Sequence, residues 1–405
     1  MRSRGYEDAP VGSDRRRAGK VRVAIIGGGG TGAGILHDLV LRGYDCTLFE
    51  RGELTSGTTG RHHGQLHSGA RYAVGDVEIA RECAREVAIL RRIASESIEM
   101  NYGLFLALSD DDEARTDEFM EACDRAGISS RRISRETAKQ YEPRISANTR
   151  CAVVVPDGTL DAYRLPLQFF ATARANGGRV RSFCTVTDIH VAGGAVCGLT
   201  VHDYRQRQDL HVAADIVVNA AGPWAGDVAA RAGISLPITP APGTMVAVKG
   251  RLCNMVLSRL RPPGDGDIIV PQRIVSIIGS TQRETDNPDT VRSLDEDVDW
   301  LLDRADELIP EFSNQTFHAA WTAVRPLTGR SQRGGRSLSR SFSVVSHDVD
   351  GVTGFYSVTG GKATVLRAMG EATADAICRD LDLRIPCRTA DTPLRSHRQY
   401  FRETA

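Results

Sequence analysis

The sequence predicts an α/β protein in which a Rossmann-like dinucleotide-binding unit is joined to an α+β region containing a mostly antiparallel sheet. Three observations carry this. Residues 21–50 read as strand, glycine turn, helix and strand, the pattern of a βαβ unit. From about 235 to 323 the chain turns to short apolar strands alternating with turns. Residues 355–381 then return to a strand, a Gly-Gly turn and a long helix. With 405 residues, 41% hydrophobic and 25% charged, the chain is long enough for two domains and a large core.

The elements follow in order. Residues 1–20 are polar and arginine-rich and are expected to form a disordered tail. The next segment, "VRVAIIGGGG", is too short for the apolar part of an export signal and reads better as a first strand, "VRVAII" (21–26). "GGGGTG" (27–32) follows, then "AGILHDLVLRG" (33–43), whose apolar spacing is helical and which ends at a glycine. "YDCTLFE" (44–50) is the second strand. Residues 76–99 read as one long helix with an apolar stripe and a scatter of Glu and Arg at helical spacing. "LFLAL" (104–108) is a strand and "DEARTDEFMEACDRAG" a helix. Residues 151–165 give a strand, a turn and a helix start, and 179–203 give strands joined through "AGG". Residues 214–225 run from a strand into an Ala-Ala-Gly turn. One acidic helix, "SLDEDVDWLLDRADELIP", interrupts the later β-rich stretch.

Composition narrows the function. Lys plus Arg and Asp plus Glu both number 51, which disfavours nucleic acid as the main partner and still allows an anionic small ligand at a local patch. Only Lys20, Lys139, Lys249 and Lys362 are lysines, so each is singled out in a chain that otherwise uses arginine. The nine cysteines are scattered with no CxxC pair, so no zinc or iron–sulfur site, and no metal, is expected. That pattern suits a reducing compartment, and a cytoplasmic location is expected. No apolar run is long enough to span a membrane.

Two stretches carry chemistry. The first is Gly27-x-Gly29-x-x-Gly32 between strand and helix, with Glu50 18 residues past the last glycine. Gly27 permits the tight turn, Gly29 lets the backbone approach a pyrophosphate, and Gly32 lets helix and strand pack closely. The pyrophosphate would sit on the helix N-terminus, and Glu50 would accept from a ribose hydroxyl, which disfavours a 2′-phosphate. The second is "GRHHGQLHSGARY" (60–72), with His62, His63, His67, Arg61 and Arg71 on a glycine-hinged loop. Only Leu66 and Ala70 are aliphatic there, so it is neither a core strand nor an amphipathic helix.

"IIGGGGTGAGI", "GRHHGQLHSGARYAV", "VPDGTLDAYRL", "VVNAAGPWA", "AVRPL" and "TGGK" occur in this order. Together they resemble the FAD-dependent glycerol-3-phosphate dehydrogenases of the D-amino-acid-oxidase-like flavoprotein superfamily, above all the catalytic subunit of the anaerobic enzyme. The resemblance covers roughly residues 21–390. It implies a discontinuous FAD-binding domain with two-dinucleotide-binding topology (21–97, 150–225 and 324–383). An α+β substrate domain (98–149 and 226–323) would be inserted in it, with a C-terminal tail at 384–405. Non-covalent FAD would contact Gly27, Gly29, Gly30, Thr31, Gly32, Glu50 and Arg51. Further contacts would come from Ser56, Thr58, Thr59, His63, Gly64, Val186, Ala221, Gly222, Gly361, Lys362, Ala363 and Thr364. The helix starting at Lys362 would face the reduced flavin ring with its positive end.

The implied reaction is oxidation of sn-glycerol 3-phosphate, or a close polyol phosphate, to dihydroxyacetone phosphate. The substrate phosphate calls for guanidinium donors, at Arg71 and Arg325. His67 is the candidate base, Lys362 a fixed positive charge, and Tyr72 faces the substrate. His62 and His63 read as polar loop residues or flavin-edge contacts. Relatives commonly show Lys-Gly-Ser where this chain has Pro242-Gly243-Thr244, which is expected to remove a cation from the substrate side. The catalytic chain of the anaerobic enzyme continues into a cysteine-rich domain and aerobic relatives add a helical cap; neither follows here. Electrons are therefore expected to leave through a partner subunit or a quinone, with peripheral attachment to the membrane through a partner. Three other readings remain: a flavin oxidase of another hydroxy or amino acid, a non-catalytic flavin-binding component of a larger complex, and an NAD-dependent dehydrogenase.

Overall fold

The computed structural model describes residues 11–328 and 341–402. Its first sheet has six strands in the order Phe342–Ser346, Phe355–Gly360, Ile216–Asn219, Arg22–Ile26, Asp45–Glu50 and Arg179–Ser182. All neighbours are parallel except the edge strand Phe342–Ser346. Arg22–Ile26 is buried along its length after Arg22 because both sheet faces are covered. On one face the helices Gly30–Arg42, Arg164–Ala175 and Leu366–Asp380 share a core through Ile35, Phe169 and Met369. On the other lies a three-stranded antiparallel sheet, Cys184–Ala192, Ala195–Asp203 and Gln208–Ala213, which packs Val186, Leu199 and Val201 against Ala24, Phe49 and Val217.

Gly30–Arg42 and Leu366–Asp380 touch backbone to backbone. A Cβ on Gly34 would stand 2.2 Å from the Leu366 carbonyl oxygen, and one on Gly370 would stand 2.3 Å from that of Gly34. No side chain fits there, so the two helices are locked at one crossing point.

The second sheet has eight strands in the order Phe317–Thr328, Ile238–Lys249, Val275–Gly279, Ile268–Gln272, Val256–Arg259, Gly103–Ala107, Cys151–Val155 and Arg131–Ser134. It is antiparallel apart from Val256–Arg259 beside Gly103–Ala107. The acidic helix Asp295–Leu308 covers it with Leu301, Ala305 and Leu308 on Val246, Ile269 and Ile278.

Several expectations are corrected. Cys151–Val155 and the Val324–Thr328 end of Phe317–Thr328 belong to this second sheet, not to the nucleotide-binding half. Ladder pairing decides that, and the local pattern of an apolar strand does not reveal its partner. The helix expected over 76–99 ends at Ile93, and Ile98–Glu99 is a short strand. The helix expected over 112–127 is two, Asp110–Ala114 and Thr116–Arg125. Within the expected tail, Val11–Ala18 is a helix with Ala18 fully buried and Asp14 accepting from the Arg384 amide at 3.0 Å. The rest of that expectation, residues 1–10, lies outside the described residues. The C-terminal segment packs back on the body. Leu383 and Ile385 are buried, and Arg42 Nη1 donates to the Ile385 carbonyl at 2.8 Å. Helix His397–Arg402 follows, with the Tyr400 ring 6.3 Å from that of Phe170.

One buried ion pair ties these parts together. Arg367 Nε donates to Glu86 at 2.8 Å and Arg367 Nη1 to Thr389 Oγ1 at 2.9 Å, joining helix Val77–Ile93, helix Leu366–Asp380 and the C-terminal segment. Close by, His37 is fully buried on helix Gly30–Arg42, edge-on to Phe169 at 5.2 Å. Neither of its ring nitrogens has a hydrogen-bond partner among the described residues. Burial, with Arg367 adding, pushes its imidazole down to about 3.

A depressed histidine binds its proton in the unfolded chain before it does in the folded one. Its stabilising contribution is complete above the unfolded value of 6.5 and is lost as pH falls toward 3. At about pH 5 the loss should be about 2 kcal/mol. Urea unfolding of wild type should lose about that much more than His37→Phe between pH 7 and pH 5. Equal losses in the two proteins would mean that His37 is not the acid-sensitive group.

Candidate active site

A cavity of 660 Å³ lies between the two large sheets and is lined from both. It brings together all the site residues expected from sequence except Gly32 and Gly64. Those two are packing positions. A Cβ on Gly32 would meet the Gly27 carbonyl oxygen at 2.0 Å, and one on Gly64 would meet Gln272 Nε2 at 2.0 Å.

At one end lies the glycine turn. Gly27 has φ +111°, and a Cβ there would stand 2.5 Å from the Ala220 carbonyl oxygen. Gly29 caps helix Gly30–Arg42 without a side chain, and the first turn holds no acidic residue. Gly30 N–H donates to Thr59 Oγ1 at 2.9 Å. The Glu50 carboxylate accepts from Gly28 N–H at 2.7 Å and from Gly52 N–H at 2.8 Å. Glu50 thus first holds the turn, with further lone pairs left for a ribose. Thr58 Oγ1 donates to the Val324 carbonyl, tying this loop to the second sheet. Arg51 stacks on Trp224 at 4.1 Å, and both donate to Asp289. The Val186 carbonyl is taken by Arg231, which limits what Val186 offers to a ligand. An acid-free helix start whose own N-cap is a glycine fits a dinucleotide pyrophosphate.

At the other end stands the 60–72 loop, and buried Asp157 holds it. Asp157 accepts from Gln65 Nε2 at 2.8 Å, from Ser68 N–H at 2.7 Å and from Ser68 Oγ at 2.6 Å. Burial pushes its carboxyl up, and these donors oppose the shift. Gln65–Leu66 also pairs with Gly158–Leu160. The rim is fixed by Trp321 Nε1, which donates to the Arg61 carbonyl at 2.6 Å.

The reactive groups stand on this frame. His67 N–H donates to Thr364 Oγ1 at 3.1 Å, and its ring lies 5.6 Å from that of Tyr72 and 6.2 Å from that of His63. Lys362 Nζ sits 4.9 Å over the Tyr72 ring. A 3-10 turn, Ala363–Val365, stands between Lys362 and helix Leu366–Asp380, so the helix does not start at Lys362 as expected. Arg71 Nη2 donates to the Gly264 carbonyl at 2.8 Å, with Asp267 at 3.5 Å. Arg325 donates to Ser280 Oγ and to the Thr281 carbonyl. A Cβ on Gly243 would stand 2.4 Å from the Thr281 carbonyl oxygen and 2.5 Å from Arg325 Nη1, so glycine is required there. Pro242 is buried and is not among the lining residues. Burial pushes His62 down to about 4 and His63 to about 3; His62, Arg325 and Arg71 add to the shift at His63.

Sequence reasoning did not single out Asp157, Asp267, Ser280 or Trp224. Asp157 stands inside a quoted motif, "VPDGTLDAYRL", but only the fold shows that it faces residues 65–68.

A model of the family described as FAD dependent oxidoreductase matches residues 22–376. The chain is 38% identical over 386 residues to a subunit of the anaerobic glycerol-3-phosphate dehydrogenase of Haemophilus influenzae, covering 94% of this chain and 69% of that protein. It is 40% identical over 376 residues to the corresponding subunit of the Escherichia coli K12 enzyme, covering 92% and 69%. Its fold is similar to that of a solved glycerol-3-phosphate dehydrogenase from Bacillus halodurans, complexed with FAD. That similarity has a TM-score of 0.73 at 23% identity over 95% of this chain and 70% of that one.

Asp157→Ala leaves three donors buried and unanswered. It should destabilise the chain by about 3 kcal/mol and expose the 60–72 loop to limited proteolysis. Unchanged stability together with an unchanged cleavage pattern would remove Asp157 from its role as anchor.

Proposed function

The chain belongs to the FAD-dependent oxidoreductase family, and on that premise we propose that it oxidises sn-glycerol 3-phosphate, or a close polyol phosphate, to dihydroxyacetone phosphate. One observation carries the reading: a single cavity joins the dinucleotide turn to Arg71, Arg325, Lys362 and His67. The named function of the relatives at 38–40% identity supports it. FAD would be held without a covalent link by the glycine turn, Thr59, Glu50 and Arg51 at one end, and by Gly361–Thr364 at the other. When bound it supplies the acceptor for the hydride of the alcohol carbon.

The protein residues do the rest. Arg71 and Arg325 grip the phosphate with planar guanidinium donors, each held in place by neighbouring oxygens. Lys362 adds fixed positive charge. His67 takes the hydroxyl proton as the hydride leaves, so that alkoxide character never builds up unassisted. Substrate seated in the cleft would displace water from these groups, which strengthens each of these contacts.

The two electrons then need an outlet. The relatives are named as subunits, which supports transfer to a partner protein. No helix among the described residues is long and apolar enough to cross a membrane. Stoichiometric peroxide under air would instead make oxygen the acceptor.

Anaerobic sn-glycerol 3-phosphate should bleach the yellow protein, and glycerol should not. His67→Asn should slow that bleaching about 10²–10⁴-fold with a smaller effect on substrate affinity. An unchanged rate would place the base elsewhere. Arg325→Ala should raise KM far more than Arg325→Lys, with a loss of about 1.5–3 kcal/mol. Equal activity on glycerol and glycerol 3-phosphate in wild type would end the phosphate-pocket reading.

A further inference from the structure

His63 stands in the cavity wall, where the family resemblance implies a contact with the flavin and no contact with the substrate. It and His62 share a local geometry: Nδ1 of His62 accepts from Gly64 N–H at 2.9 Å, and Nδ1 of His63 from Gln65 N–H at 3.1 Å. A ring nitrogen that accepts carries no proton, so the proton of the neutral ring sits on Nε2. The backbone turn therefore sets the tautomer of His63. Its Nε2 makes no hydrogen bond among the described residues. The ring stands nearly perpendicular to that of His67, at 75° and 6.2 Å. Its Cδ2 faces Gly279 of the second sheet, where an added Cβ would stand 3.6 Å from it and would meet Met245 at 2.7 Å, so the ring packs against that strand.

The charged and titratable groups around it come from two elements. His62 lies on the same loop, His67 and Arg71 follow on it, and Arg325 faces it from strand Phe317–Thr328. None is an acid, so nothing in this set favours a second proton. We propose that His63 is a substrate-binding residue that donates its Nε2–H to an acceptor oxygen of the substrate, as a neutral partner to the two arginines. Burial, with His62, Arg325 and Arg71 adding, keeps it down at about 3, so the donor does not titrate where the enzyme works. Two histidines then divide the labour: His67 accepts a proton and His63 only donates a hydrogen bond. His62 has the same tautomer, but its first charged neighbour is Asp161, outside the arginine pair.

This rests on the phosphorylated-polyol reading, and the acceptor oxygen belongs either to the phosphate or to the alcohol. The test compares His63→Leu, which removes the donor, with His63→Gln, which restores an N–H. Flavin content and absorbance are measured first. Next come binding of inorganic phosphate, followed through the flavin band, and kcat and KM with a dye acceptor from about pH 5 to 9. His63→Leu should keep its flavin and lose about tenfold or more in kcat/KM, with His63→Gln recovering part of it. The acid limb of the pH profile should stay where it is in wild type. Weaker phosphate binding assigns the contact to the phosphate; a lower kcat with phosphate binding intact assigns it to the alcohol oxygen. The proposal is overturned if kcat/KM is unchanged, if the acid limb disappears, or if the loss follows lost flavin. A wild type that glycerol 3-phosphate fails to bleach would defeat the substrate reading itself. A bleaching wild type with an unaltered His63→Leu defeats only this inference.

Discussion

Asp157 sits in the turn between Cys151–Val155 of the second sheet and Gly158–Leu160, with its carboxylate out of water and three donors from residues 65–68 closing on it. The 60–72 loop has almost no apolar side chain with which to anchor itself. It is fixed by polar bonds or not at all. A carboxylate that accepts three short hydrogen bonds supplies direction as well as energy, because each donor must point at one of two oxygens. His63, His67, Arg71 and Tyr72 take their places from that anchor. The same turn that carries Asp157 leads into Gly158–Leu160, which pairs with Gln65–Leu66.

The electrostatics of the cleft follow from crowding cations in a partly dry space. Arg71, Arg325 and Lys362 repel one another unless each has a local counterweight. Asp267 and the Gly264 carbonyl serve Arg71, Ser280 and Thr281 serve Arg325, and the face of Tyr72 serves Lys362. These contacts position the cations without neutralising all of them, so a dianion still meets net positive charge. The histidines respond in the opposite sense: surrounded by guanidinium groups and shielded from water, His63 stays neutral.

The βαβ unit is legible in the sequence because its signals are local: a β-branched run, glycines at fixed spacing, helical periodicity and an acid at the end of the next strand. The loop 60–72 is legible for a different reason, since its composition suits no regular element. What sequence does not disclose is pairing over distance. Nothing in "CAVVV" says that this strand joins Gly103–Ala107 and Arg131–Ser134 in the second sheet. Nothing in the polar 11–18 segment says that Ala18 is buried or that Asp14 meets Arg384. The same limit applies at Pro242, whose burial and absence from the cavity lining cannot be read from the motif.

The chain has three tryptophans, and two of them are held at the cleft: Trp224 beneath Arg51 and hydrogen-bonded to Asp289, and Trp321 bonded to the Arg61 carbonyl. The third, Trp300, lies on helix Asp295–Leu308, which covers the second sheet. Intrinsic fluorescence is therefore weighted toward the rim of the cavity. Both indoles lie within reach of energy transfer to any chromophore that enters it, so the protein carries a built-in optical gauge of what occupies its cleft, with no label attached.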